Sequence, residues 1–322
     1  MNTKCIAVAS MDKDYVDAAK IFIHSFKYHH PDIPINMYIV DDYHPSSDML
    51  HMYKDVHFIH LKATRVNKFI KDNYDVINKK SFNNNIYDSS KIINMFAYIE
   101  AIDELIASKK YDVIIKSDLD TLWCDNILNE LSEFANSNLP IAMSRENIPG
   151  NTELYSSILN MGGYFCAGVM LYNTHMLTNS VLDTVFSTMQ HYGISKFTYL
   201  DQDALMLSYS KKFELNGVYN ITSMPIPKAK NVYVIHYNTF IKPFGRIEKD
   251  ILLDDIPLYR TYKLYRDMAV AVNCHESFIN KINDNITVLH RFLKHKVRLR
   301  PDIQLIQIKC MEMLKSFNLL YE

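Results

Sequence analysis

The sequence predicts an α/β fold: an open, mostly parallel sheet flanked by helices, followed by a helical carboxy-terminal appendage. Three observations predict it. Short apolar runs alternate with amphipathic helical patterns, the runs end in small or acidic residues, and from about residue 250 the text turns helical and more basic. We divide the chain into a sheet domain over residues 1–250 and a helical extension over residues 251–322.

The elements follow in order. "KCIAVASMD" is an apolar run ending in small and acidic residues, so it reads as a buried strand whose carboxyl end opens into a loop. "DKDYVDAAKIFIHSFKYHH" places Val16, Ala19, Phe22, Ile23 and Phe26 at helical spacing, with Pro31 just past the stop. "INMYIVDD" and "DVHFIHL" are further strands, with a weak helical pattern around residues 46–53 between them. Residues 89–108 set Ile92, Met95, Phe96, Ile99, Ile102 and Ile106 on one helical face. "YDVIIKSDLD" is a strand, and Asp125 is the expected N-cap of a helix over "NILNELSEF". "GYFCAGVMLYN" reads as a strand kinked at its small residues, "DQDALMLSYS" as a helix start, and "NVYVIHYN" as a buried strand ending near His236. In such sheets ligands gather beyond the carboxyl ends of the strands.

Bulk composition narrows the function classes. Of 322 residues, 48% are apolar and 22% charged, which suits an ordinary globular protein. A formal net charge of -1 supplies no global field for nucleic acid, so no nucleic-acid partner is expected. Five scattered cysteines without CxxC spacing, and no basic stretch leading into a long apolar one, set the expectation of a cytoplasmic protein. The sequons at Asn220 and Asn285 are then idle.

The chemistry centres on "SDLDTLW", where Asp118 and Asp120 bracket Leu119 at a strand end. Two carboxylates there can start a turn. They can also do covalent chemistry: "DLDTL" resembles the opening motif of haloacid-dehalogenase phosphatases, in which Asp118 would attack phosphorus. Against that stand the missing Gly before the Thr, the α/β segment ahead of the motif, and the polar setting of the only later acidic doublet considered, Asp254–Asp255. A third reading is a divalent cation bridging a diphosphate, with Mn²⁺ favoured over Mg²⁺ if the imidazole of His236 joins the two carboxylates.

Five segments in series then carry a resemblance: "IAVASMDKDYVDAAKIFIHSF", "SDLDTLW", "GYFCAGVMLYN", "LDQDALM" and "HYNTFIKPFG". Over roughly residues 3–246 the chain resembles the family-eight glycosyltransferases, retaining enzymes of the Rossmann-like GT-A fold that include glycogenin and bacterial lipopolysaccharide galactosyl- and glucosyltransferases. The resemblance implies that Asp118, Asp120 and His236 hold Mn²⁺ or Mg²⁺ against a UDP-sugar donor. It places Ala7, Ser10 and Asp12 at the uridine and ribose, Tyr15 under the base, and Lys91 close to the donor, whose binding set also takes in Leu119. Lys242 and Gly245 match the loop that closes over the diphosphate. Ala167 and Gly168 would let backbone approach the sugar, with Asp201 and Gln202 against its reactive face. Cys166 stands where the family has Asn, Phe244 where Trp is usual, and Met206 where Asn commonly closes the segment. For several of these a plainer role exists: Lys91 as an exposed helix lysine, Asp201 as a helix cap, Cys166 as a small apolar core residue.

The implied activity is transfer of a hexose to a hydroxyl acceptor (glycan, lipid-linked saccharide or protein) with retention of anomeric configuration. With no clear nucleophile in the sequence, a front-face route is favoured over a covalent one. The alternatives are the phosphatase using Asp118 and a non-catalytic module that only binds a nucleotide sugar. "HRFLKHKVRLR" either packs as an amphipathic helix or lies on an anionic membrane surface as a peripheral contact. Donor sugar, acceptor and oligomeric state stay open.

Overall fold

A computed structural model of the chain describes residues 3–51, 53–77, 81–82, 85–86, 89–146, 154–220, 232–238, 242–245 and 256–293. The doublet Asp254–Asp255 and the basic segment from residue 294 on lie outside the described residues; of Lys91 and of residues 290–293 only the backbone is described.

The elements run β1 (Cys5–Met11), α1 (Val16–His29), β2 (Ile35–Ile39), α2 (Ser47–Leu50), β3 (Val56–His60), α3 (Thr64–Asp72), α4 (Tyr74–Ile77), β4 (Ser81–Phe82), β5 (Asn85–Ile86), α5 (Ser89–Ser108) and β6 (Val113–Ser117). They continue with β7 (Thr121–Trp123), α6 (Leu128–Ala135), β8 (Ile141–Arg145), α7 (Tyr155–Asn160), β9 (Phe165–Asn173), α8 (Val181–Tyr192), α9 (Leu200–Ser208), β10 (Phe213–Glu214), β11 (Val218–Asn220), β12 (Val234–His236), α10 (Ile256–Ala271) and α11 (Glu276–Leu293). They fall into two compact units, both discontinuous. The first takes Met1–Lys13, Ile33–Asp118 and Ile127–Asn216; the second takes Asp14–Asp32, Leu119–Asn126 and Gly217–Glu322.

The first unit is built on a seven-stranded sheet in the order β10-β8-β9-β6-β1-β2-β3. Every pair is parallel except those made by β9, which runs antiparallel to both neighbours. Helices cover a sheet of this kind on both faces, and so the central strands are apolar throughout: Ile6, Ala7, Val8 and Ala9 of β1 are all buried. The stripe expected on α5 is core, with Ile92, Phe96, Ile99 and Ile102 buried and Met95 and Ile106 packed against them. Glu100 on the same helix is buried because its two oxygens accept from the Arg65 and Val66 amides, which open α3. The kink expected in "GYFCAGVMLYN" is a break in register: Met143 pairs with Met170, but Ser144 pairs with Cys166. The strand bulges over Ala167–Val169.

The second unit holds the three-stranded sheet β11-β12-β7, together with α1, α10 and α11. Trp123 on β7 is fully buried against Phe26 and His30 of the α1 end, and its amide donates to Ser25 Oγ at 3.2 Å. Two expectations are corrected. Asp125 does not cap the following helix: α6 starts at Leu128 with Ile127 at the cap position, while the Asp125 carboxylate accepts from the adjacent Asn126 amide. The stretch after Asp118 is not the tail of β6 but leads into a separate strand, β7, too short to show an alternation of its own. Among the described residues no helix is long and apolar enough to cross a membrane.

Candidate active site

In the second unit the strand ladder fixes the central pair. His236 lies opposite Thr121 in the antiparallel β12–β7 pairing, and the Tyr237 amide donates to the Asp120 carbonyl at 2.9 Å. Both side chains are buried, Asp120 at 4% exposure and His236 at 3%. Asp120 Oδ2 accepts from Lys242 Nζ at 2.7 Å. Asp120 Oδ1 lies 3.4 Å from His236 Nε2 and makes no hydrogen bond among the described residues. His236 Nδ1 is 2.7 Å from Asn220 Oδ1, an oxygen that accepts from it, which leaves Nε2 facing Asp120. A buried carboxylate oxygen and an imidazole nitrogen set face to face are a donor pair suited to a divalent ion. Burial would raise the Asp120 carboxyl, but the Lys242 ammonium and then His236 outweigh it and hold it well below the usual carboxylate range. Burial likewise would lower Lys242, yet Asp120 keeps it charged, above the ordinary lysine value.

Lys242 opens a tight turn closed by the Gly245 amide on the Lys242 carbonyl at 3.0 Å. Asn285 of α11 pins that turn, its amide group donating to the Pro243 and Gly245 carbonyls at 2.8 and 2.7 Å. A Cβ on Gly245 would come within 3.2 Å of Lys242 Cβ, so a larger residue would have to push the turn off the lysine by a few tenths of an ångström. Tyr15 accepts from Lys242 Nζ at 2.9 Å and meets Phe244 edge-on, and Phe244 stacks on Phe278. Leu119 is buried.

The first unit gathers the other residues. Ala7 is buried in β1, between Ile35 and Ile115. Ser10 donates to the Asn94 carbonyl at 3.4 Å, and the Asn94 side chain donates to Asp12, so α5 holds the end of β1 and the loop after it. The Asp118 amide donates to the Gly168 carbonyl at 2.7 Å. Lys116, 3% exposed, donates to Asp118 Oδ1 at 2.5 Å and to the Ala167 carbonyl at 2.6 Å. The Ala167 amide donates to Gln202 Oε1 at 2.9 Å, and Gln202 Nε2 donates to Tyr164 Oη at 2.9 Å and Glu146 at 3.4 Å. Tyr164 donates onward to Asp203 Oδ1, whose partner Oδ2 accepts from the Thr198 and Tyr199 amides ahead of α9. Asp203, not Asp201, therefore holds the start of that helix. Asp201 instead accepts from Tyr98 Oη at 3.1 Å; burial pushes its carboxyl up to about 6, with Lys116 opposing and Asp118 adding. Cys166 is buried and its Sγ accepts from the Gly168 amide at 3.4 Å.

Asp118, Asp120 and His236 each offer one atom suited to ligating a divalent ion, and Asp118 precedes Asp120 by two residues along the chain. Lys116, Asn94, Tyr98, Asn220 and Asn285 entered no motif, and Tyr164, inside "GYFCAGVMLYN", was given no role. Only Lys116 left a mark in the sequence, as a lysine inside the apolar run "VIIKS". Asn220 and Asn285 showed only as sequons, and both are buried with their amides engaged.

Comparison with known proteins gives the lineage. Among solved structures, galactosyltransferase LgtC, crystallised with donor and acceptor sugar analogues, superposes with a TM-score of 0.61 at 17% identity, over 85% of this chain and 99% of that one. The glycosyltransferase GlyE of Streptococcus pneumoniae TIGR4 gives 0.51 at 12% identity, over 89% of this chain and 64% of that one. The α/β fold with its mostly parallel seven-stranded sheet is thus similar to that of GT-A glycosyltransferases such as LgtC. No curated protein sequence matches the chain. A sequence profile for glycosyl transferase family 8 matches residues 5–248, well over half of the 322 residues, and so the chain belongs to that family and is a glycosyltransferase.

Proposed function

We propose that this glycosyltransferase is a metal-dependent, retaining enzyme that moves a hexose from a UDP-sugar to a hydroxyl of a glycan, a lipid-linked saccharide or a protein. One observation carries the reading: Asp120 Oδ1 and His236 Nε2 face each other at 3.4 Å, buried, with no hydrogen bond on the carboxylate oxygen among the described residues. That pair fits a divalent ion, and Asp118, Asp120 and His236 would hold it. When bound, Mn²⁺ or Mg²⁺ would supply counter-charge to the diphosphate of the donor.

The remaining chemistry belongs to side chains. Breaking the anomeric bond leaves an oxocarbenium-like sugar and adds negative charge to the departing diphosphate. Lys242, kept charged by Asp120, would meet that charge from the Gly245 turn. The β1 segment Ala7–Asp12, with Tyr15, Lys91 and Leu119, would receive the nucleoside side of the donor. Ala167 and Gly168 would border the sugar, with Asp201 and Gln202 at its reactive face. The Gln202 amide is engaged at both ends, by the Ala167 amide and Tyr164, so it orients and does not attack. Asp201 spends one carboxylate oxygen on the Tyr98 hydroxyl. The engagement of both residues supports the front-face route, in which the leaving phosphate oxygen takes the acceptor's proton.

A panel of UDP-sugars with and without Mn²⁺, read by thermal shift and UDP release, tests this. One UDP-hexose should stabilise the protein and release UDP only with metal. A flat panel, or full turnover after chelation, refutes it; release of phosphate from phosphomonoesters would instead support the phosphatase chemistry of Asp118.

A further inference from the structure

Lys116 lies inside β6, and an ammonium is costly to bury unless charge and acceptors surround it. Those around it are specific. Nζ donates to Asp118 Oδ1 and to the Ala167 carbonyl, and it sits 4.5 Å from the centroid of the Tyr98 ring, whose hydroxyl continues to Asp201. An apolar side chain of similar volume would serve the strand as well or better, since buried ion pairs rarely add stability over good packing. What the charge does is act on the two groups it touches, a carboxylate and the carbonyl of the bulge in β9.

We propose that Lys116 is a positioning residue that sets how tightly Asp118 can hold a divalent cation. The inference rests on the metal reading given under the proposed function. An ammonium at 2.5 Å from Asp118 Oδ1 and a divalent ion compete for the same negative charge. Lys116 thereby keeps Asp118 in one rotamer and the cation only loosely held. Removing the ammonium has two opposite effects. Freeing the Asp118 rotamer weakens cation binding by about threefold. Taking away a like charge beside the cation tightens it by about tenfold or more. The charge effect is the larger, so the neutral variants should bind metal better than the wild type. A merely structural lysine would give the reverse, since a disturbed site binds less.

The experiment is titration of metal-free protein with Mn²⁺, with no donor present, following free Mn²⁺ by electron paramagnetic resonance. Lys116→Met and Lys116→Gln should each bind Mn²⁺ about tenfold more tightly than wild type. Lys116→Arg, which keeps the charge, should stay within about threefold. UDP release by the neutral variants should fall in kcat with little rise in the donor KM. Circular dichroism confirms the fold of each variant. Unchanged or weaker Mn²⁺ binding by the neutral variants overturns the proposal. So does tenfold tighter binding by Lys116→Arg, a result that stands even if the neutral variants do not fold. Wild-type binding with unmoved variants removes only the role of Lys116. No Mn²⁺ binding by the wild type removes the metal reading and this proposal with it.

Discussion

Around the candidate site the two units treat buried charge in opposite ways. In the unit built on the seven-stranded sheet, Lys116 meets Asp118 and Ala167, Gln202 meets Ala167 and Tyr164, and Tyr164 meets Asp203, so donors and acceptors close on one another. In the other unit Asp120 Oδ2 meets Lys242, while Oδ1 faces His236 Nε2 at 3.4 Å with no hydrogen bond among the described residues. A closed network of hydrogen bonds fixes geometry; an unclosed pair stores a preference for something absent. The first unit reads as the frame and the second as the grip.

The strongest way to break that contrast is Asp120→Asn, which keeps the shape but removes the charge facing Lys242 and His236. UDP release should fall about a thousandfold, and thermal stability should fall too, because the Lys242 ammonium loses the carboxylate that pairs with it. Activity within tenfold of wild type would mean the unclosed pair is incidental. Tyr164→Phe probes the frame: it leaves Asp203 Oδ1 and Gln202 Nε2 each short of a partner. It should cost about 1–3 kcal/mol of stability and lower kcat by about tenfold, read by denaturant unfolding and UDP release. A loss of activity with stability unchanged would move Tyr164 from the frame to the chemistry.

The smallest effect is a pair of opposed pH dependences. Burial pushes the Asp201 carboxyl from 3.8 up to about 6, so its protonated form favours the folded chain; that contribution is full below 3.8 and is lost as pH rises through 6. Burial pushes His30, set between Phe26 and Trp123, from 6.5 down to about 4. Its contribution is full above 6.5 and is lost as pH falls toward 4. Melting curves from pH 4 to 7 should show Asp201→Asn gaining on wild type toward neutrality and His30→Phe gaining toward acid, each by about 2–4 °C. Parallel curves for either variant would contradict the charge states assigned here.

Much of the fold was legible because it is written in periodicity. The α5 stripe and the apolar runs of β1, β6 and β12 needed only residue type and spacing. β7 was not legible: three residues cannot display an alternation, and what makes it a strand is its pairing with distant β12. The expected cap at Asp125 failed for a related reason, since local preference gave way to where the chain had to go next. In the site, Asp118, Asp120, His236 and Lys242 were named as candidates through motif order. Asn94, Tyr98, Tyr164 and Asn285 were not, because a residue that positions another is chosen by the neighbour it meets, and neighbours from remote segments leave no local pattern.

The piecemeal make-up of the two units has a consequence for how the polypeptide matures. The first unit has all its segments once Asn216 has been made, but α1 and β7 belong to the second, whose last segment begins at Gly217. During synthesis Trp123 can therefore meet Phe26 early, but its strand β7 gains its hydrogen-bonded partner β12 only after the segment beginning at Gly217 has been made.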